Sequence, residues 1–191
     1  MSYLRKIEYE IVPTESFTVI RGCSGCGGKT YFKNTKKFRV NANGSKLDVW
    51  LIYQCEKCKH TFNLTIYERQ NALAIPRDEY SRFLDNDEQL AEMYGRNLQL
   101  FRRSRAEVDF ERMHYQFVKR QDGTVEADGR EQQIMLSIHN PCGLKIRPEK
   151  QIAGMLGLSR NQVQKMMQEG EIEPENISPQ FVSFYVKEHL L

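Results

Sequence analysis

Two short cysteine motifs, Cys23-Ser-Gly-Cys26 and Cys55-Glu-Lys-Cys58, decide the fold of this chain. A two-residue spacer allows a tight turn to direct two thiolates toward one point, and two such turns complete a closed tetrahedral shell for Zn²⁺. We therefore predict one structural zinc ion per chain with four Cys ligands and no metal-bound water for catalysis. Gly27 and Gly28 follow the first pair, and we expect them to supply positive φ angles and close backbone approach.

The remaining cysteine usage does not indicate a disulfide protein. The chain has five Cys, an odd number, and no sequence typical of a secretion signal. A redox-active pair should open a helix after a strand, whereas both pairs here lie between strand-like segments. His60 and His139 lie close to Cys58 and Cys142 in sequence, and each is a candidate for an alternative ligand or for part of a second site. We expect Cys142 to be a free core thiol and both histidines to lie at the surface.

The segments around the cysteine motifs have the patterns of β-strands. Residues 3–20 alternate loosely between apolar and polar side chains, and residues 62–67 alternate in the same way. The turn dipeptide Asn43-Gly44 divides two further apolar segments, which predicts a β-hairpin between the cysteine pairs. Two metal-binding turns joined by hairpin strands resemble a zinc ribbon, and the resemblance covers residues 1–68.

The middle of the chain, residues 69–142, changes to helical spacing. Apolar residues recur at helical intervals from Asp87, a predicted N-cap, to a basic run at 102–105 that suits the negative end of a helix dipole. Asp78 is a second predicted N-cap. Segments 107–120 and 131–139 then predict two strands joined by a glycine-rich turn region. We expect this part to link the ribbon to a C-terminal module.

Residues 143–191 read as a helical module. Pro148 suits the first position of a helix, and two short helices are expected at 151–156 and 160–169, with Gly170 as the stop. Ser178 and Pro179 predict the start of a last helix. The expected fold is therefore α+β: an N-terminal antiparallel zinc ribbon followed by a mixed, helical C-terminal part with a helix pair.

The helix pair resembles the RNA-binding module named after ribosomal protein S-four. Arg147, Ser159-Arg160, Gly170 and Ile172 match the spacing of that family, whereas Glu173-Pro-Glu-Asn replaces its usual following strand sequence. The resemblance implies that the cations of the pair contact RNA phosphates, and the exposed face of the second helix adds polar side chains. The predicted nucleic-acid-binding residues are Arg147, Lys150, Ser159, Arg160, Gln164 and Lys165.

Two other interpretations of the same segment stay open. Ala153, Gly157 and Val163 stand at the small, turn and apolar positions of a DNA-binding helix-turn-helix, which would make the protein a transcriptional regulator. A helical hairpin used only for packing is the other interpretation. Across its full length the chain also resembles an uncharacterised bacterial family of unknown function, which implies no particular activity.

Charge supports a nucleic-acid partner. Segment 21–60 carries nine basic and two acidic side chains, a net +7, although the whole chain has a net charge of +3. Such a basic segment can attract a phosphate backbone, and aromatic residues occur between its basic residues along the chain. The aromatic residues that could stack on bases are Tyr31, Phe32, Phe38, Trp50 and Tyr53. For Trp50 and Tyr53 we favour the alternative that they pack in the ribbon core. A protein partner for the ribbon is a further possibility.

Other function classes are disfavoured. No apolar run is long enough to span a membrane, and the N-terminal residues lack the apolar region of a secretory signal, so we expect a cytoplasmic protein. Phosphate-binding, esterase and metalloprotease motifs do not occur. The candidate acid and base groups His114, His139, Asp109 and Glu111 form no recognisable constellation. We therefore expect a non-enzymatic protein without a small-molecule substrate, whose partner is RNA or DNA.

Overall fold

The computed structural model describes residues 3–127, 129–130 and 132–190, which form an α+β fold. Within these described ranges, no α-helix combines the length and apolar character of a bilayer span. Short 3-10 turns occur at Ala72–Ala74 and Glu188–Leu190. In chain order the elements are β1 (Tyr3–Pro13), β2 (Val19–Cys23), β3 (Gly28–Asn43), β4 (Lys46–Cys55), β5 (Thr61–Asn71), α1 (Arg77–Leu84), α2 (Glu88–Gly95), α3 (Leu98–Arg103), β6 (Glu107–Val108), β7 (Tyr115–Glu126), β8 (Gln133–His139), α4 (Pro148–Leu156), α5 (Arg160–Gln168), β9 (Ile172–Ile177) and β10 (Phe181–Lys187).

The chain divides into two compact units. The discontinuous unit contains the residues up to Val12 and those from Tyr115 onward, and the inserted unit is Pro13–His114. These boundaries do not coincide with the expected divisions after residues 68 and 142. The reason is long-range strand pairing, because β1 joins the sheet of the C-terminal strands and β6 joins the sheet of the cysteine-bearing strands.

The inserted unit is built on a five-stranded sheet in the order β5-β4-β3-β2-β6, with antiparallel pairing throughout. The hairpin predicted between the cysteine pairs is confirmed. Asn43 pairs with Lys46 across a two-residue turn, where Gly44 adopts a φ of 60°. Glycine has no Cβ, so this left-handed conformation carries no steric cost there.

The core of the inserted unit lies between one face of its sheet and the three helices α1–α3. Alternate residues of β4 from Leu47 to Cys55 are buried, as the period of two along a strand requires. Phe83 of α1 packs edge-on against Phe38 at 4.9 Å, and Phe101 of α3 packs edge-on against Tyr53 at 5.8 Å. Tyr53 is therefore a core residue as expected. Trp50 is not, because it points to the opposite face.

The single helix expected after Asp87 is two helices. Asp87 caps α2 as predicted, since its side chain accepts a hydrogen bond from the N–H of Leu90. The helix ends at Gly95, and the Asn97 side chain then accepts a hydrogen bond from the N–H of Gln99 and begins α3. Asp78 lies within the first turn of α1 and is not its N-cap. A local Asn cap thus interrupts a continuous apolar pattern.

The discontinuous unit has a second five-stranded sheet in the order β7-β1-β8-β10-β9. β1 runs parallel to β8, with Ile7 opposite Leu136, and β10 runs antiparallel to both β8 and β9. The two strands expected at 107–120 and 131–139 are therefore not a hairpin. β1 lies between β7 and β8, and the short β6 belongs to the inserted unit.

The helix expected from Ser178 onward is wrong for the described residues, because the segment forms a β-hairpin. The Ser178 hydroxyl accepts a hydrogen bond from the N–H of Phe181 and donates one to its carbonyl, which closes a turn around Pro179. Phe181–Lys187 is rich in aromatic and β-branched residues and pairs along its whole length with β8. The last residue of the expected helix, at position 191, lies outside the described residues.

The helix pair forms a tight corner, which we call the helix corner (α4, α5 and the turn at 157–159). Pro148 occupies the first turn of α4 as predicted. Gly157 ends α4 with a φ of 69°, and Ser159 begins α5 in a capping box with Gln162. Ile152 and Val163, both 0% exposed, form the buried seam of the corner.

Replacing Gly157 by alanine should lower the free energy of unfolding by about 1 kcal/mol, because the left-handed conformation places Cβ against the following carbonyl. Gly157→Asn is the matched control, since asparagine tolerates this conformation better. Urea denaturation followed by far-UV circular dichroism measures both effects. A Gly157→Ala variant as stable as the unaltered protein would contradict the strained turn.

Candidate functional site

The four cysteines of the two motifs come together at one end of the inserted sheet. Cys23 and Cys55 are the last residues of β2 and β4 and are buried, whereas Cys26 and Cys58 lie in the following turns and are exposed. All four Sγ atoms lie within 4.8 Å of one another. The predicted set of thiols is thus assembled at one point and can hold a metal ion.

The two cysteine turns have the same backbone construction. The N–H of Gly27 donates to the carbonyl of Cys23 at 2.9 Å, and the N–H of Lys59 donates to the carbonyl of Cys55 at 3.1 Å. Gly27 and Lys59 have φ angles of 71° and 66°. The positive φ predicted at Gly27 is confirmed, whereas Gly28 already begins β3. Each turn therefore folds its second thiol back toward the first.

Two of the sulfur–sulfur distances bracket the spacing expected for four sulfurs around one ion. The Sγ atoms of Cys23 and Cys58 are 3.3 Å apart, and those of Cys26 and Cys55 are 3.9 Å apart. Four sulfurs at about 2.3 Å from one ion would be about 3.8 Å apart. A Cβ atom at Gly25 would lie 2.9 Å from the Sγ of Cys58, so the chain at this position must be glycine for the thiols to approach.

The four thiols of the cluster shift one another's pKa values. The hydroxyl of Thr30, 3.1 Å from the Sγ of Cys55, and nearby backbone N–H groups lower the pKa of Cys55 to about 6. Contact with the sulfur of Cys58 raises the pKa of Cys26 to about 12. One thiolate therefore forms readily, and its negative charge opposes ionisation of its neighbours. A bound metal ion removes this conflict because it stabilises all four thiolates together.

The alternative ligands stay outside the cluster. The Nε2 atom of His60 lies 3.2 Å from the Ser24 hydroxyl, and Cys142 is a half-buried free thiol in the discontinuous unit. His139 of that unit lies 3.8 Å from a carboxylate oxygen of Glu8. Throughout the described ranges, the four cysteines are the one group of three or more potential ligands close enough to share an ion.

The six predicted nucleic-acid-binding residues are all exposed on or beside the helix corner. Lys150 and Arg160, from different helices, line one groove of about 390 Å³ together with Tyr115. The hydroxyl of Ser159 takes part in the capping box, and Lys165 lies 3.7 Å from Glu169. Arg147 precedes α4 as its N-cap residue, and Gln164 lies on the exposed side of α5.

The basic character predicted for segment 21–60 is partly neutralised. Two of its lysines pair with carboxylates from later parts of the chain, and a third pairs within the segment. The pairs are Lys29 with Glu107 at 3.1 Å, Lys36 with Glu88 at 2.9 Å, and Lys33 with Glu56 at 2.9 Å. A count along the sequence therefore overstates the positive surface that remains for phosphate groups.

The predicted stacking set is also reduced. Phe32, Phe38 and Tyr53 are buried and pack within the core. The guanidinium of Arg112 lies 3.7 Å from the ring centre of Tyr31 and covers it. Trp50 is half-buried on the opposite face of the sheet. Its ring makes no aromatic or cation–π contact with the residues that the structure describes.

The candidate acid and base residues lie in different surroundings. His114 contacts Glu15 at 2.6 Å, but both side chains are largely exposed. They line a cavity of about 620 Å³ with Lys33, Asn34 and Arg112, a grouping that no local sequence pattern indicates. Asp109 is buried and accepts hydrogen bonds from backbone N–H groups, and Glu111 is exposed. The first of these backbone donors belongs to Glu111 itself.

Comparison with known proteins places the chain in one family. A family model described as "Protein of unknown function (DUF1062)" matches residues 40–177, well over half of the chain, so the chain belongs to this family. The matched region contains Cys55, Cys58 and the helix corner, and it begins after Cys23 and Cys26. No curated protein matches the chain, and no solved structure matches it.

Proposed function

We propose that this member of the DUF1062 family is a cytoplasmic, non-enzymatic RNA-binding protein that contains one structural Zn²⁺ in a zinc-ribbon-like unit. The helix corner is the RNA-binding surface. The observation that carries the proposal is the groove in which Lys150 and Arg160 converge from two helices beside Tyr115. Two cations next to an aromatic ring suit a phosphate backbone and an adjacent base.

Zinc is the ion that the cysteine cluster suits best. Four thiolates from two short motifs form a closed tetrahedral set, and the sulfur distances agree with Zn–S bonds of about 2.3 Å. A closed shell leaves no coordination site for substrate or water. The zinc ion would therefore hold the ends of β2 and β4 together and stabilise the sheet.

The chain that follows the helix corner favours RNA over DNA. After α5, Gly170 has a φ of 70°, and β9 begins at Ile172 and pairs with β10. The S-four-like module, which the sequence resembles, continues its second helix into a strand in the same way. A DNA-binding helix-turn-helix needs a further helix packed on the pair, and this segment is a strand instead.

Replacing Lys150 and Arg160 together by glutamine should weaken binding to an RNA stem-loop on the order of tenfold at low salt. The slope of log affinity against log salt should fall by about two, because each cation neutralises one phosphate. Fluorescence anisotropy of a labelled stem-loop measures both quantities. Lys187→Gln, an exposed cation at the end of β10, is the matched control.

Three results would contradict the proposal. One is no binding to the stem-loop at any salt concentration, and another is a double variant that binds as well as the control. A marked preference for duplex DNA over the stem-loop would support the helix-turn-helix interpretation instead.

A further inference from the structure

The strongest unassigned surface is the face of the inserted sheet opposite to its helices. Two rows of side chains cross β3, β4 and β5 on this face. The first row consists of Arg39, Trp50 and Thr65, in that strand order. The second row consists of Lys37, Ile52 and Asn63. We call these six residues the Trp50 face. The neighbouring residues Val49 and Leu51 point to the other side and are buried in the core.

The Trp50 side chain lacks the specific contacts that usually hold a tryptophan in place, as far as the described residues are concerned. Its ring makes no aromatic or cation–π contact, and its indole N–H makes no hydrogen bond, with any residue that the structure describes. The side chain is nevertheless only half-buried, at the centre of a polar surface. Buried tryptophan usually finds a partner for its N–H, and a partly exposed ring without one is free to receive a ligand.

The charges beside Trp50 are also uncompensated. Arg39 and Lys37 are exposed, and neither has an ion-pair partner within the described ranges, unlike Lys29 and Lys36 of the same strand. Asp48 lies on the same face, two residues before Trp50, and accepts a hydrogen bond from the backbone N–H of Arg69 at 2.7 Å. The aromatic ring thus lies next to two free positive charges.

We propose that the Trp50 face binds a single-stranded segment of nucleic acid. The indole ring of Trp50 stacks on one base, while Arg39 and Lys37 bind phosphates on the β3 side of that base. Thr65, which is half-buried, offers a hydroxyl for hydrogen bonding on the β5 side. A single strand fits because its bases are free to stack, whereas the bases of a duplex are covered by their neighbours.

The composition of the face favours nucleic acid over protein. Lysine is depleted at protein interfaces, whereas this face presents the exposed Lys37 one strand pair away from Trp50 and Arg39. Unpaired cations beside a partly exposed aromatic ring are the combination found in sequence-tolerant single-strand binders. The inference does not rest on the helix corner, which belongs to the other unit.

Trp50 is the single tryptophan of the chain, so its fluorescence reports on this face alone. Titration of the full chain with an oligothymidylate or oligouridylate of about 12 nucleotides at low salt should quench this fluorescence saturably. Trp50→Leu should weaken binding of the labelled oligonucleotide, followed by anisotropy, by at least about fivefold, since stacking contributes about 1–3 kcal/mol per base.

A second variant keeps the fluorescent reporter in place. Arg39→Gln combined with Lys37→Gln should lower the affinity and the salt dependence while Trp50 remains observable. Arg77→Gln, an exposed cation on α1, is the control and should change neither. No quenching at low salt, or equal affinity for the Trp50→Leu variant and the unaltered protein, would overturn the inference.

The proposals for the helix corner and for the Trp50 face can fail separately in this experiment. The Lys150→Gln/Arg160→Gln variant should lose the stem-loop but retain quenching by the oligonucleotide. The Arg39→Gln/Lys37→Gln variant should retain stem-loop binding. Quenching that disappears only when the helix corner is altered would show that Trp50 responds indirectly, and would also overturn the inference.

Discussion

Replacing Cys55 by serine is expected to lower the free energy of unfolding of the inserted unit by more than about 4 kcal/mol, the range reached when a metal ligand is lost. Cys55 is fully buried, its Sγ lies 3.1 Å from the Thr30 hydroxyl, and it belongs to the four-sulfur cluster. A serine hydroxyl is a poor zinc ligand, so the metal would be lost and three thiols would remain crowded together. Urea denaturation followed by Trp50 fluorescence measures the loss.

The control for this prediction is Cys142→Ser. Cys142 is a half-buried free thiol outside the cluster, so its replacement should change stability by less than about 1 kcal/mol. Metal analysis should find one zinc ion per chain in the unaltered protein and in the control, and less than one in Cys55→Ser. Equal stability and equal metal content in both variants would contradict the structural zinc site.

Phe83→Ala is expected to cost about 3–5 kcal/mol, the usual range for truncating a buried phenylalanine. Phe83 is 1% exposed and is the centre of an aromatic cluster in the inserted unit. Its ring lies 4.9 Å from Phe38, 5.8 Å from Tyr94 and 6.1 Å from Tyr67. Truncation leaves a cavity between α1 and the sheet that these rings cannot fill without leaving their own contacts.

Leu84→Ala is the matched control, because Leu84 follows Phe83 in the same helix but is 55% exposed. Its truncation should change the unfolding free energy by less than about 1 kcal/mol. Both variants can be compared by the shift of the urea midpoint at constant slope. Similar midpoints for the two would mean that α1 is not anchored to the sheet through Phe83.

Local features of the chain were predictable because their chemistry acts over a few residues. The spacing within each cysteine pair indicated the cluster, and the turn dipeptide at Asn43 indicated the hairpin that connects β3 to β4. Pro148 and Ser159 similarly marked the starts of α4 and α5. In each case the backbone groups of the turn or cap form their hydrogen bonds locally. The sequence pattern therefore predicts the structure without knowledge of the rest of the fold.

Other local signals in the chain conflict with one another. Ser178 and Pro179 resemble a helix start, yet the aromatic and β-branched composition of Phe181–Lys187 favours the strand that forms. The helix break at Asn97 is harder to predict, because the helical spacing of apolar residues continues across it. The side-chain cap of Asn97 is the local feature that begins α3 as a separate helix. Competing local signals of similar strength therefore need tertiary contacts to decide between them.

Residue types and their spacing along the chain are enough to indicate the four thiols, the helix corner and the basic segment. The pairing of β1 with β8, the neutralisation of Lys29 and Lys36 by Glu107 and Glu88, and the position of Trp50 on the polar face follow from the folded arrangement. The physical reason is distance along the chain. Capping and metal-binding turns are set by neighbouring residues, whereas strand order and ion pairing depend on which remote segments share a buried face.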